Sequence, residues 1–71
     1  MTPSGGQSSF DLREGDVVAV AYAGGVPAGA RVVGFNPERP HLIKVIYEHS
    51  RTAAWIAAAR VVAASRDGVR L

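Results

Sequence analysis

The chain has 71 residues, contains no cysteine and has a net charge of +2 from eight Lys or Arg and six Asp or Glu side chains. This length predicts one small domain, and the lack of cysteine excludes disulfides and thiolate metal sites. The basic residues are spread along the chain, whereas a dedicated nucleic-acid-binding protein usually carries them in clusters. Because so small a domain has little core, we expect self-association to support it.

The N-terminal sequence predicts a tail ahead of the domain. Residues 1–9 are rich in Gly and Ser and have no apolar periodicity, so we predict a disordered tail followed by a domain over residues 10–71. No apolar run reaches the roughly 18 residues of a transmembrane helix, and no signal peptide is evident. Together with the lack of cysteine, these features favour a cytoplasmic protein. The abundance of alanine, valine and arginine, with a single lysine, is typical of a GC-rich bacterial genome.

Residues 15–35 carry the clearest structural signal. Two apolar runs, 16–23 and 30–35, flank a Gly/Pro-rich connection at 24–29, which predicts two antiparallel strands joined by a loop. In the first strand we assign the larger side chains to the core, and the second face of that strand is also apolar. A strand that is apolar on both faces is usually buried on both, so another subunit or the tail is expected to cover the second face. The residues assigned to the core are Val18, Val20 and Tyr22.

Three further features complete the first part of the domain. Phe10 and Leu12 alternate with polar residues and are expected to close one end of the core. Gly34 interrupts the second strand, which predicts a bulge or a sharp bend. A third strand over residues 42–48 places Ile43, Val45 and Tyr47 on one face and Lys44, Ile46 and Glu48 on the other.

The alanine-rich stretch 52–64 permits two interpretations. Propensity alone favours a helix, but that helix would be apolar nearly all round and hard to place on so small a chain. The strand interpretation gives a fourth strand over 52–57, a single turn at 57–59 and a fifth strand over 60–64. A turn at Asp67–Gly68 then leads to a short edge segment. We predict the all-β fold, with a three-stranded meander plus a C-terminal helix as the alternative.

This pattern resembles the SH3-like and Tudor-like small barrels, including KOW modules. The motifs that carry the resemblance are GDVVAV at 15–20, GARVVGF at 29–35 and KVIY at 44–47. They cover about residues 15–62 and imply a five-stranded SH3-like barrel. Because the motifs are short and degenerate, they indicate the fold better than an activity.

The chain is also similar to the plasmid-encoded type II dihydrofolate reductases, which are SH3-like chains that work as tetramers. The similarity lies at Gly15, Asp16 and Val18, at 29–35 and at 58–61. In that family a Val-Gln-Ile-Tyr segment on the fourth strand lines the central pore and binds the pterin and the nicotinamide cofactor. The matching stretch here reads AAWI or AWIA and lacks the glutamine and the tyrosine. The resemblance therefore implies the fold and self-association, with no catalytic residue and no cofactor.

Trp55 is the largest apolar side chain and the first candidate for a binding site. An exposed tryptophan on a strand commonly marks an interface, although Trp55 in the core with Ile56 outside is an equally good placement. A second hypothesis is an aromatic cage for a methylated cation, although aromatic residues in so small a domain are more often core. The cage would be formed by Tyr22, Phe35, Tyr47 and Trp55.

A modest basic patch is the remaining candidate. Its members lie at outward strand positions or at a turn and are Arg31, Lys44, Arg51 and Arg60. If these side chains share one face of the sheet, they can bind phosphate groups. The alternative is a solvated face whose charge is neutralised by Glu38 and Glu48.

His41 and His49 lie at opposite ends of a strand, so they cannot share a metal ion within one chain. No catalytic set is readable, and we expect a non-enzyme. The expected function is a protein-binding adaptor, with a nucleic-acid-binding module of KOW or Tudor type as the alternative. A diverged reductase relative without the catalytic motif is the third possibility.

Overall fold

A computed structural model of the chain describes residues 10–21 and 25–71, so the predicted tail and Tyr22 lie outside the described residues. The described chain forms one antiparallel sheet in the spatial order β4-β3-β2-β1-β5-β6. Its strands are β1 Val17–Val20, β2 Ala28–Phe35, β3 Leu42–Tyr47, β4 Ala53–Ala57, β5 Val61–Arg66 and β6 Val69–Arg70. A single 3₁₀ turn, Ala58–Arg60, joins β4 to β5. The all-β prediction is confirmed.

The alanine-rich stretch 52–64 forms β4, the 3₁₀ turn and most of β5, which confirms the strand interpretation. A helix here would expose apolar side chains on a side that nothing in so small a chain can cover. β4, the 3₁₀ turn and β5 instead bring Ile56, Ala58 and Val61 into the core, each at most 6% exposed. The alternative fold with a C-terminal helix is therefore wrong.

The core lies on one face of the sheet, which we call the inner face. Its residues follow the strand period of two on β1, β2 and β3, and Phe10, Leu12 and Tyr47 pack against them as predicted. A single sheet has no second layer to cover this face, so such complete burial requires the sheet to coil until its inward side chains cover one another. The buried residues are Val18, Val20, Ala30, Val32, Ile43, Val45, Ile56, Ala58, Val61 and Ala64.

Two irregularities in the strand register help the sheet to coil. Between β2 and β3 the pairing passes over Val33, and between β1 and β5 it passes over Val62. An extra residue of this kind bends its strand and increases the local twist. The first irregularity lies beside Gly34 and confirms the bend predicted there.

The sheet differs from the predicted five-stranded barrel in two respects. The Asp67–Gly68 turn returns the chain to form a sixth strand, because both residues adopt the positive φ that a two-residue hairpin turn requires, 53° and 80°. In addition, β4 and β6 are the two edges of the described sheet, and no described pairing joins them. The strand pairing therefore does not close the sheet into a barrel.

Asp16 is the only buried charged residue in the described ranges, with 1% of its surface exposed. Its carboxylate accepts hydrogen bonds from the backbone N–H of Arg13 at 2.8 Å and from Nε and Nη2 of Arg66 at 2.8 and 2.9 Å. Nη2 of Arg66 also donates to the backbone oxygen of Asp11 at 2.7 Å. The ion pair thus ties the segment before β1 to the end of β5. The hydrogen bond from Arg66 lowers the pKa of Asp16 below its ordinary value of 3.8, against the opposing effect of burial.

We expect Asp16→Asn to lower the free energy of unfolding by about 1–3 kcal/mol at neutral pH, because an amide cannot accept all the hydrogen bonds of the carboxylate. The carboxylate stabilises the fold fully above its ordinary pKa of 3.8, and this contribution is lost as the pH falls through the lower pKa of the folded state. Urea unfolding of both proteins at a series of pH values tests this. A stability difference that does not shrink on acidification would contradict it.

Candidate binding face

Trp55 lies at the middle of β4 and points away from the core. The register pairs it with Lys44 of β3, whereas the next residue, Ile56, pairs with Ile43 of the core. Trp55 is 46% exposed and Ile56 is 5% exposed. Because successive side chains of a strand point to opposite sides, the burial of Ile56 directs Trp55 to the other side of the sheet, which we call the outer face. Of the two placements that the sequence left open, the structure has the exposed one.

Lys44 accompanies Trp55 on the outer face. Its Nζ atom lies 5.9 Å from the centroid of the indole ring, within the range of a cation–π interaction. The pair is a directly opposite cross-strand pair, so the two strands hold both side chains in place. The outer face therefore presents a cation and an aromatic ring together.

The outer face continues as a row across four strands. Ala53 lies opposite Ile46, Ile46 opposite Arg31, and Arg31 opposite Val17. Ile46 is 36% exposed, and both Val17 and Ala19 of β1 are only half-buried. The second face of β1 is apolar, as the sequence indicated, and the row joins it to the surroundings of Trp55.

A groove of about 300 Å³ lies on this face. Val33 and Ile46 form its apolar lining, and Arg31, Arg51 and Glu48 supply charged side chains. Both arginines are exposed, and neither forms an ion pair with another residue of the described chain. The groove thus combines an apolar surface with two available guanidinium groups.

Arg51 has an unusual backbone conformation. Its φ is +59°, in the left-handed region, and its N–H donates to the backbone oxygen of Tyr47 at 2.8 Å to close the turn after β3. A left-handed conformation costs a residue with a Cβ about 1–2 kcal/mol, which glycine avoids. The turn itself therefore favours glycine, and what arginine adds is a guanidinium group in the groove.

Glu48 gives the groove one negative charge. Its carboxylate lies over Gly29, where a Cβ would stand 2.7 Å from Oε1 of Glu48. The backbone N–H of Glu48 also donates to the oxygen of Gly29 at 3.0 Å. Because Gly29 has no side chain, the carboxylate has room beside β2, and the groove is not purely basic.

The structure places three of the four predicted cations on the outer face: Arg31, Lys44 and Arg51. Arg60 does not join them. It ends the 3₁₀ turn, and its Nη2 donates to the backbone oxygen of Ala21 at 2.7 Å, which ties the turn to the end of β1.

The predicted aromatic cage does not form among the described residues. Phe35 and Tyr47 each pair with a core residue of the neighbouring strand, so they belong to the inner side of the sheet. Trp55 is on the outer face, and Tyr22 lies outside the described residues. The sheet thus separates Trp55 from Phe35 and Tyr47.

The sequence placed Ile46 on the same face of the third strand as Lys44 but assigned neither Ile46 nor Val33 to a site. The signal for Ile46 was present, because it alternates with core residues of β3. The groove carried no sequence signal, since it depends on the bulge at Val33 and on the turn that directs Arg51 toward β2.

The edge of β4 offers a further means of binding. A backbone hydrogen bond of 2.9 Å joins Tyr47 N–H to the oxygen of Thr52. In the alternating antiparallel pattern the backbone groups of Ala53, Trp55 and Ala57 then face away from β3. This strand has neither a proline nor a charged residue, which are the usual protections of an edge.

Within residues 10–21 and 25–71, no group of three His, Asp or Glu side chains could hold a metal ion. His41 and His49 are both exposed at opposite ends of β3.

Comparison of the chain with protein-family models, with curated proteins and with solved structures gave no match.

We expect Trp55→Ala to lower the free energy of unfolding by about 1 kcal/mol, since the side chain lies outside the core. Ile56→Ala, one residue along the same strand, should lower it by about 2–5 kcal/mol because it leaves a cavity in the core. Urea unfolding followed by circular dichroism measures both. If Trp55→Ala lowered the free energy of unfolding more than Ile56→Ala does, the assignment of the two faces would be reversed.

Proposed function

We propose that the chain is a non-catalytic protein-binding module and that a protein partner docks on its outer face around Trp55. The observation that carries this proposal is the position of Trp55, 46% exposed at the middle of a strand and next to the exposed side chain of Ile46. Tryptophan is enriched at the centres of protein interfaces, where it buries a large apolar area with little loss of side-chain freedom. On a strand it is already positioned before the partner arrives, which reduces the entropy lost on binding.

The surroundings of Trp55 support the same function. A partner that covers Trp55 and Ile46 removes apolar surface from water, which is the main source of affinity. An extended segment of the partner can also pair with the free backbone groups of Ala53 and Ala57 on β4. Lys44, Arg31 and Arg51 at the rim of the apolar surface speed association with an acidic partner.

The partner in this proposal is another protein or a second copy of the chain. The small size of the domain supports the second copy, since an apolar outer face shared between two copies adds to a limited core. A cytoplasmic location is part of the proposal, and the lack of cysteine is consistent with it. Among the described residues, no helix has the length and apolar character needed to cross a membrane.

We propose further that the coiled sheet is an SH3-like domain of KOW or Tudor type. The strand order supports this, because β1 lies between β2 and β5 and a single 3₁₀ turn connects β4 to β5. Kinship with the type II reductases is a related proposal that extends only to the fold and to self-association. Where that family has glutamine and tyrosine, this chain has alanine, tryptophan or isoleucine, so the proposal includes no pterin or nicotinamide chemistry.

Selection of random peptides displayed on phage tests the protein-binding function. We expect peptides that bind the immobilised wild-type chain to lose about tenfold or more in affinity for Trp55→Ala, which matches the loss of a central interface residue. Val62→Ala is the matched control, because Val62 is similarly exposed, at 53%, but belongs to the β5 bulge. Peptides that bind both variants equally, or no enrichment at all, would contradict the proposal.

A nucleic-acid-binding module is the second candidate, and one observation favours it. Lys44 and Trp55 lie together on a face that also carries Arg31 and Arg51, and cations beside an exposed aromatic ring are typical of surfaces that bind single strands. Glu48 on the same face opposes phosphate binding. The net charge of +2 is also low for a protein that follows a phosphate backbone.

If the chain binds nucleic acid, retention on a single-stranded DNA column should fall steeply as the salt concentration rises, since bound counterions are released from the phosphates. The Lys44→Ala variant should elute at a lower salt concentration than the wild type. The control variant Arg70→Ala, which removes a cation from β6, should elute at the same salt concentration as the wild type. Failure of the wild type to bind the column at low salt would exclude this function.

A further inference from the structure

We infer that the groove between Arg31 and Arg51 binds a carboxylate of the partner, so that the partner docks through an acidic segment that also carries apolar residues. This inference rests on the proposed protein-binding function and names the chemistry of the partner. The groove provides two exposed guanidinium groups that form no ion pair within the described chain. Guanidinium groups bind carboxylates with charge-assisted hydrogen bonds, often two at a time.

The apolar lining determines what accompanies the carboxylate. Val33 and Ile46 line the same groove as the charged residues, and Ile46 is 36% exposed. A bare inorganic anion would leave these side chains in water, whereas an acidic segment with apolar neighbours covers them. Ile46 also lies opposite Ala53 of β4, the strand that carries Trp55. One extended segment can therefore contact the groove and Trp55 together.

Glu48 makes an acidic polypeptide a better occupant than a nucleic acid. Its carboxylate lies in the same groove, where it would repel each phosphate of a polyanion. A polypeptide carries backbone N–H groups that can donate to Glu48 while its own carboxylate binds the arginines. The observations therefore favour a mixed polar and apolar peptide segment.

Arg51 provides an independent argument. The turn after β3 requires φ of +59° at this position, a conformation that favours glycine. Arginine there opposes the local backbone preference, and unfavourable conformations of this kind tend to occur at binding and catalytic sites. Arg51 lines the groove together with Arg31, and binding there would explain an arginine at this position.

A second copy of the chain is a weaker occupant of this groove. Symmetric contact of two such grooves would bring four guanidinium groups together with two carboxylates. Like charges at an interface reduce affinity unless they are neutralised. An acidic segment from a different protein meets the two arginines without this repulsion.

Binding of a random copolymer of glutamate and tyrosine tests the inference. Excitation of Trp55, the only tryptophan of the chain, reports occupation of the outer face. Poly-glutamate is the probe without apolar residues, and an oligothymidylate of about 20 nucleotides represents nucleic acid. We expect the wild-type chain to bind the copolymer more tightly than either of the other two.

The variants Arg31→Ala and Arg51→Gly each remove one guanidinium group and should weaken copolymer binding about five- to tenfold. Arg51→Gly suits the backbone of its turn, so we expect it to fold at least as well as the wild type. Arg39→Ala is the matched control. It removes one exposed cation from the loop between β2 and β3, outside the groove, and should change binding less than about twofold.

Three outcomes would overturn the inference: an equal effect of Arg39→Ala and Arg31→Ala, equal binding of poly-glutamate and the copolymer, or tighter arginine-dependent binding of the oligothymidylate. Peptides selected on phage separate this inference from the protein-binding function on which it rests. If those peptides require Trp55 but are insensitive to Arg31→Ala and Arg51→Gly, the binding function stands and the acidic partner is wrong.

Discussion

A single sheet has to cover its own apolar face, and the rest of this structure depends on that constraint. Ten inward residues reach nearly complete burial without a second layer in the described chain, because the sheet coils around them. Bulges at Val33 and Val62 and the one-turn corner after β4 provide the curvature. The other face of the sheet has no covering layer among residues 10–21 and 25–71, and this is where Trp55 and Ile46 meet solvent.

Charge is used differently on the two sides of the sheet. Arg66 donates hydrogen bonds to the carboxylate of Asp16 and to the backbone oxygen of Asp11, in the segment before β1. The buried charge of Asp16 therefore has a structural role. On the outer face Arg31 and Arg51 form no ion pair in the described chain, and their positive charge is available to a partner. Hydrogen bonds from Arg66 and Arg13 leave no buried side-chain polar atom of the described residues unsatisfied.

The outer face combines two kinds of interaction that interfaces use for different purposes. In the proposed interaction, the apolar side chains of Trp55 and Ile46 supply affinity, and the cations around them select for the charge of the partner. Both sets of side chains stand on paired strands or on a turn closed by a backbone hydrogen bond, so the face is arranged before a partner binds.

The sequence by itself determined the all-β fold, the inward positions of Val18 and Val20, the two faces of β3, the irregularity at Gly34 and the Asp67–Gly68 turn. These features depend on the period of two, on β propensity and on residues that permit positive φ, all of which are local. Only the tertiary structure decided which of Trp55 and Ile56 faces the core, that Arg60 binds the end of β1, and that Arg31 and Arg51 share a groove. Those outcomes depend on strand register and on bulges. A shift of one residue in the register exchanges the two faces of a strand. Neighbouring strands set that register, and no single segment of the sequence contains it.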